Sequence, residues 1–155
     1  MSIFKELGIR EGKDRENEEV VYSIVRAYAV IDRAISEILS EYKLSVAKFN
    51  ILLMVKHVGK DKGIAQNEIS KLLLVTTSNM TRMIDKLEKQ GLVARHPLAN
   101  DRRVRNIIIT EKGSELLDRA WFPYKDKINK LVNSFFSDKQ KKEVVSLLTL
   151  INGEG

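Results

Sequence analysis

The stretch from Gln66 to Ile109 constrains the fold more than any other part of the chain. Residues 66–73 carry the apolar spacing of one short helix and residues 76–90 that of a second, with Leu74-Val75 as the break between them. Gly91 stops the second helix, and the pattern then changes from a period near four to alternation. Leu92-Val93-Ala94-Arg95 and Val104-Arg105-Asn106-Ile107-Ile108-Ile109 read as two strands around a polar tip, residues 97–103. A helix-turn-helix followed by a basic β-hairpin is the arrangement by which a small domain presents a helix with a wing beside it. The expected fold is mainly α with a small β-hairpin wing: a winged helix-turn-helix flanked by long helices at both ends.

Those flanking helices are legible from periodicity. Val21, Ile24, Tyr28, Ile31, Ile35, Ile38 and Tyr42 repeat every three or four residues with no proline or glycine between them. They predict one helix of about 25 residues over 18–42, near 37 Å long at about 1.5 Å per residue. Residues 1–15, interrupted by Gly8 and Gly12, read as an arm or a frayed first helix. Ser45 is placed to cap a helix over 46–58 that Gly59 and Gly63 end, and Ile64-Ala65 is a brief extended piece able to pair with the wing. Thr110 is placed to cap a second long helix, 111–136, in which Pro123 predicts a kink. Ser137 and Gln140 have the spacing of a capping box opening a last helix through Ile151. The expected division is a helical dimerisation region over 1–44 and 111–155 and a winged helix-turn-helix over 45–110. Two long apolar stripes are too much for so small a motif to cover, so terminal helices of two copies are expected to interlock. The competing arrangement is a monomer whose end helices fold onto its own core.

The second helix of the motif, with its wing, has the chemistry of a duplex reader. Thr76 is its expected N-cap, the hydroxyl accepting a backbone N–H. Val75, Met80, Ile84 and Leu87 turn inward, which puts Thr77, Ser78, Asn79, Thr81, Arg82 and Lys86 on or near the outer side. Short polar side chains at a helix start can approach base edges, asparagine can pair with adenine through two hydrogen bonds, and Arg82 can reach guanine or phosphate. In the wing, an arginine of Asp101-Arg102-Arg103 can enter a narrow minor groove while a carboxylate steadies it. Arg95 and Arg105 flank the hairpin and are expected to meet phosphates. Charge agrees: residues 64–112 hold nine lysines and arginines against five acids, the larger part of a net +6. The bland counterparts are capping chemistry at Thr-Thr-Ser-Asn and a solvated turn at Asn-Asp-Arg.

Several strings together resemble the MarR family of winged-helix transcriptional regulators, over about residues 18–151. They are Leu44-Ser45-x-x-Lys48-Phe49-x-Ile51-Leu52, then Ser78-Asn79-Met80-Thr81-Arg82-x-Ile84-Asp85-x-Leu87-Glu88-x-x-Gly91-Leu92-Val93, and Asp101-x-Arg103 with Ile109-Thr110-x-x-Gly113. The resemblance implies a triangular homodimer with the terminal helices at its apex, a recognition helix in the major groove of a pseudo-palindromic operator, and a wing in the minor groove. It implies Arg103 as the minor-groove residue with Asp101 in support, and Thr77, Ser78, Asn79 and Arg82 facing bases and nearby backbone. Two positions depart from the pattern: Ala65 stands where a capping Ser or Thr is common, and Leu74 where glycine is common, which argues against a left-handed backbone at that turn.

Members of that family commonly answer to a phenolic or lipophilic ligand held between the dimer helices and the winged lobe, to thiol oxidation, or to zinc. The absence of cysteine closes the thiol branch, and two histidines on different elements, His57 and His96, make poor zinc ligands. Tyr28, His57, Trp121 and Tyr124 are the candidate pocket aromatics, against the commoner reading of core residues. No metal or cofactor is expected, and no phosphate loop, nucleophile–base pair or paired carboxylates suggest an enzyme. No apolar run reaches the roughly 18–20 residues of a membrane span, and the first residues lack a secretion signal's layout, so a cytoplasmic protein is expected. A winged-helix module that binds a protein partner is the alternative function, and steep salt dependence of DNA binding would separate the two.

Overall fold

The computed structural model describes the backbone of Gly8 and of residues 15–98 and 101–152, and the side chains of all these except 98, 101–105 and 152. Helix α1 spans Glu16–Ser40, with Glu16, Glu18 and Glu19 in its first turn, where the helix dipole favours negative charge. It ends with Lys43 at φ 56°. There the Lys43 N–H meets the Ser40 carbonyl at 2.9 Å and the Leu44 N–H meets that of Leu39 at 3.1 Å. Helix α2, Val46–Met54, is capped as expected: the Ser45 oxygen accepts from the Lys48 N–H at 3.3 Å. It stops short of the expected end and widens into a π-helical turn, Val55–Gly59, then a 3-10 turn, Lys60–Lys62.

Strand β1, Ile64–Ala65, pairs antiparallel with the wing, Ile64 opposite Ile107 and Ala65 opposite Asn106. Helices α3, Gln66–Leu72, and α4, Thr77–Lys89, form the helix-turn-helix. The wing strands β2, Val93–Leu98, and β3, Asp101–Ile109, are longer than residue alternation suggested. Pairing of the backbone carries the ladder into the polar tip, with a register irregularity between Pro97 and Leu98. Sheet order is β1-β3-β2, so Pro97, which has no N–H to donate, lies on an edge strand.

Helix α5, Glu111–Phe135, is the expected second long helix, with Pro123 inside it. The Thr110 oxygen accepts from the Gly113 N–H at 3.0 Å and its hydroxyl donates to the Gly91 carbonyl at 2.7 Å, fastening the start of α5 to the start of the wing. Helix α6, Asp138–Asn152, opens with the expected box: Gln140 Oε1 accepts from the Ser137 N–H at 2.9 Å, and the Gln140 N–H reaches Ser137 Oγ at 3.4 Å.

One core joins these parts. Phe49, Ile51, Leu52, Ile69, Met80, Ile84, Leu87 and Ile107 are buried in it, together with Ile35 and Leu39 from the end of α1 and Leu117 and Ala120 from the start of α5. Tyr124 packs against Phe49 with ring centroids 4.6 Å apart and planes tilted by 47°, and the Lys56 ammonium ties the π-helical turn after α2 to α5 through Asp118 at 2.6 Å. The outer halves of α1 and α5 therefore project from the winged body, and α6 buries none of its described residues.

Candidate nucleic-acid interface

Helix α4 divides cleanly into two faces. Met80, Ile84 and Leu87 are fully buried, while Thr76, Thr77, Ser78, Asn79, Arg82 and Lys86 are exposed on one continuous side. The buried stripe anchors the helix, so its other face is presented outward without any loss of core. Thr81 is half-buried: it accepts from Gln66 Nε2 at 2.7 Å and donates to the Thr77 carbonyl at 3.0 Å, tying the start of α3 to the second turn of α4. Thr76 has the extended backbone of an N-cap, but its side chain makes no capping bond. Its oxygen lies 3.5 Å from that of Ser78 instead, so the expected hydroxyl cap is absent and the first-turn N–H groups of α4 lack a side-chain acceptor.

The turn before α4 overturns another expectation. Leu74 lies at φ 51°, in the left-handed region, although it is not glycine. The Leu74 N–H bonds the Lys71 carbonyl at 3.3 Å and the Val75 N–H bonds that of Ser70 at 3.0 Å. That crossed pair is the Schellman ending, which needs a left-handed residue after the cap whatever its side chain.

Arg95 does not stand free for phosphate. From β2 it reaches back to α4, where one guanidinium nitrogen bonds Asp85 at 2.5 Å, another pairs with Glu88, and the Arg95 N–H meets Glu88 Oε1 at 3.2 Å. Its side chain is 18% exposed. Desolvation works against its charge, yet hydrogen bonding and attraction from Asp85 and Glu88 outweigh it and hold the group above its ordinary pKa. Arg95 is thus a strut between wing and helix, held there by Asp85 and Glu88. The side chains of Asp101, Arg102, Arg103 and Arg105 lie outside the described residues, although their backbone belongs to β3.

Behind α4 is a cavity of about 350 Å³. Tyr28, Asp32 and Ser36 of α1 form one wall, Val46 and Asn50 of α2 the floor, and Leu73, Val75 and Met83 the side toward the recognition helix. Of the four candidate pocket aromatics only Tyr28 lines it. His57 is exposed on the π-helical turn, whereas Trp121 and Tyr124 pack on each other and against the core. Burial raises the Tyr124 pKa, as suits a core ring.

A family model for the MarR family matches residues 44–104. The HTH-type transcriptional regulator PecS of Dickeya dadantii is 31% identical over 139 residues, which span 90% of this chain and 83% of PecS. The chain belongs to the MarR family. Its fold agrees with that of the MarR family regulator Sco3205 of Streptomyces coelicolor, solved in complex with DNA (TM-score 0.82, 19% identity, 92% of this chain and 89% of Sco3205). It agrees too with CouR of Rhodococcus jostii RHA1, solved with p-coumaroyl-CoA (TM-score 0.75, 21% identity, 87% of this chain and 92% of CouR). Like the rest of the MarR family, the protein is a DNA-binding transcriptional regulator with a winged helix-turn-helix. Sequence reasoning missed Gln66, the Asp85–Arg95–Glu88 strut, and Asp32, Ser36 and Asn50 in the cavity; each depends on how separate elements pack together, which periodicity does not reveal.

Proposed function

We propose that the protein works as a homodimer that reads a pseudo-palindromic operator through α4 and represses until a small ligand enters the cavity behind that helix. The observation that carries this reading is the outward face of α4, where Thr77, Ser78, Asn79, Arg82 and Lys86 are exposed beside a wing strutted to the same helix. Thr77, Ser78 and Asn79 would meet base edges, Arg82 and Lys86 bases or phosphates, and Arg103, supported by Asp101, the minor groove, with Arg102 and Arg105 adding backbone attraction. Residues 45–110 would form the DNA-binding lobe, with 1–44 and 111–155 serving dimerisation. Sco3205 on DNA and CouR with p-coumaroyl-CoA support the two halves of the reading by fold likeness. No described helix is long and apolar enough to cross a membrane, and no group of three or more His, Cys, Asp or Glu among the described residues could hold a metal ion.

Selection of bound duplexes from a random pool tests this directly. The expected product is two inverted half-sites centred about one helical turn, roughly 34 Å, apart. Recovery of unordered sequence, or of a single half-site, would overturn the dimeric readout.

A further inference from the structure

The cavity behind α4 is polar in an uneven way. Asp32, Ser36 and Asn50 all line it, and none of their three side chains makes a hydrogen bond or ion pair in the structure. Among the described residues, no lysine, arginine or histidine lines it. The remaining lining is the ring of Tyr28, the side chains of Val46, Ala47, Leu73, Val75 and Met83, and Ser45, whose oxygen already accepts from the Lys48 N–H. A carboxylate, three neutral polar residues and an aromatic ring, with no positive charge, set the sign of what can enter.

We propose that this cavity takes a small organic cation with an apolar body, an aromatic or alkyl ammonium, and not an anionic phenol or carboxylic acid. The proposal rests on the reading of the cavity as the effector site. An anion there would face the Asp32 carboxylate and gain no countercharge. An ammonium group gains the Asp32 charge and the Tyr28 ring face, while its hydrocarbon part covers Leu73, Val75 and Met83. Ser36 and Asn50 can accept from an N–H of the same group. The site also reaches the mechanism, because Leu73 and Val75 flank the left-handed turn at Leu74 and Met83 belongs to α4. An occupant therefore touches both α1 and the recognition helix.

Calorimetric titration of the full chain with benzyltrimethylammonium and with phenylacetate, two probes of similar size and opposite charge, tests the assignment. The cation is expected to bind at least about tenfold more tightly. Asp32→Asn is expected to erase that preference, and Ala47→Trp, a bulky ring on the exposed rim of the same cavity, to block the cation. If phenylacetate binds as well or better, or if Asp32→Asn leaves the preference intact, the charge assignment fails while the cavity stands. If neither probe binds, or if binding survives Ala47→Trp, the cavity reading fails and takes the proposal with it.

Discussion

At Leu74 the backbone holds a conformation that costs an L-residue about 1 kcal/mol or more, because Cβ crowds the following carbonyl. The side chain returns nothing for it, being 88% exposed. Leu74→Gly is therefore expected to stabilise the protein by about 0.5–1 kcal/mol in urea unfolding, part of the strain relief being lost to the freer unfolded chain. Gly113 is the opposite case: a Cβ there would lie 2.0 Å from the Leu92 carbonyl oxygen and 3.0 Å from the Ile109 side chain. Since the contact is backbone, Gly113→Ala must separate the start of α5 from the wing, and a loss of about 3 kcal/mol or more is expected in the same measurement. The two positions also mark what residue identity could tell. The Ile109-Thr110-x-x-Gly113 string and the caps at Ser45, Thr110 and Ser137 were legible because each depends on neighbours within four residues. Leu74 was misread because the absence of glycine was taken as evidence about the backbone, whereas the backbone there follows from two crossed hydrogen bonds that any side chain must accept.

Between elements, the strut from Arg95 to Asp85 and Glu88 decides how the wing sits on the recognition helix. Periodicity located both elements to within a few residues but held no information on which arginine each carboxylate would find. Arg95 looked like a phosphate ligand because it stood among other arginines, and only the pairing of β2 against α4 separates it from them. The distinction is measurable. Loss of a phosphate contact lowers the slope of log affinity against log salt by about 1. Arg95→Gln is expected to cost about 1–2 kcal/mol of folding stability while leaving that slope unchanged, its partners Asp85 and Glu88 being exposed enough to regain water. A slope reduced by about 1 in fluorescence-anisotropy titrations would return Arg95 to the DNA contacts. Arg103→Ala, at the wing tip, is expected instead to weaken operator binding by about 1–3 kcal/mol in gel-shift titration at fixed salt, and an unaltered affinity would remove it from the minor groove.

For the whole molecule the question is what covers the end helices. A fifteen-residue helix is marginal in water by itself, yet α6 buries none of its described residues on this chain and exposes Val145, Leu147, Leu148, Leu150 and Ile151. The outer half of α1 adds Val20, Val21, Ile24 and Val25, and between the two helices runs an apolar groove of about 780 Å³. A surface of this kind on a charged chain needs a partner, and a second copy brings the same stripes in the complementary orientation that a twofold axis requires. If so, the 17.7 kDa chain sediments at twice its mass, and its thermal midpoint rises with protein concentration. Replacing Leu147 and Leu150 by glutamate separates the possibilities, since both side chains are already in water on a lone chain, 64% and 70% exposed. On a lone chain that change would leave mass, helix content and DNA affinity nearly untouched. In the dimer it is expected to halve the sedimenting mass, melt α6, and lower operator affinity by about a hundredfold or more, because each recognition helix then binds its half-site without the other to hold it near.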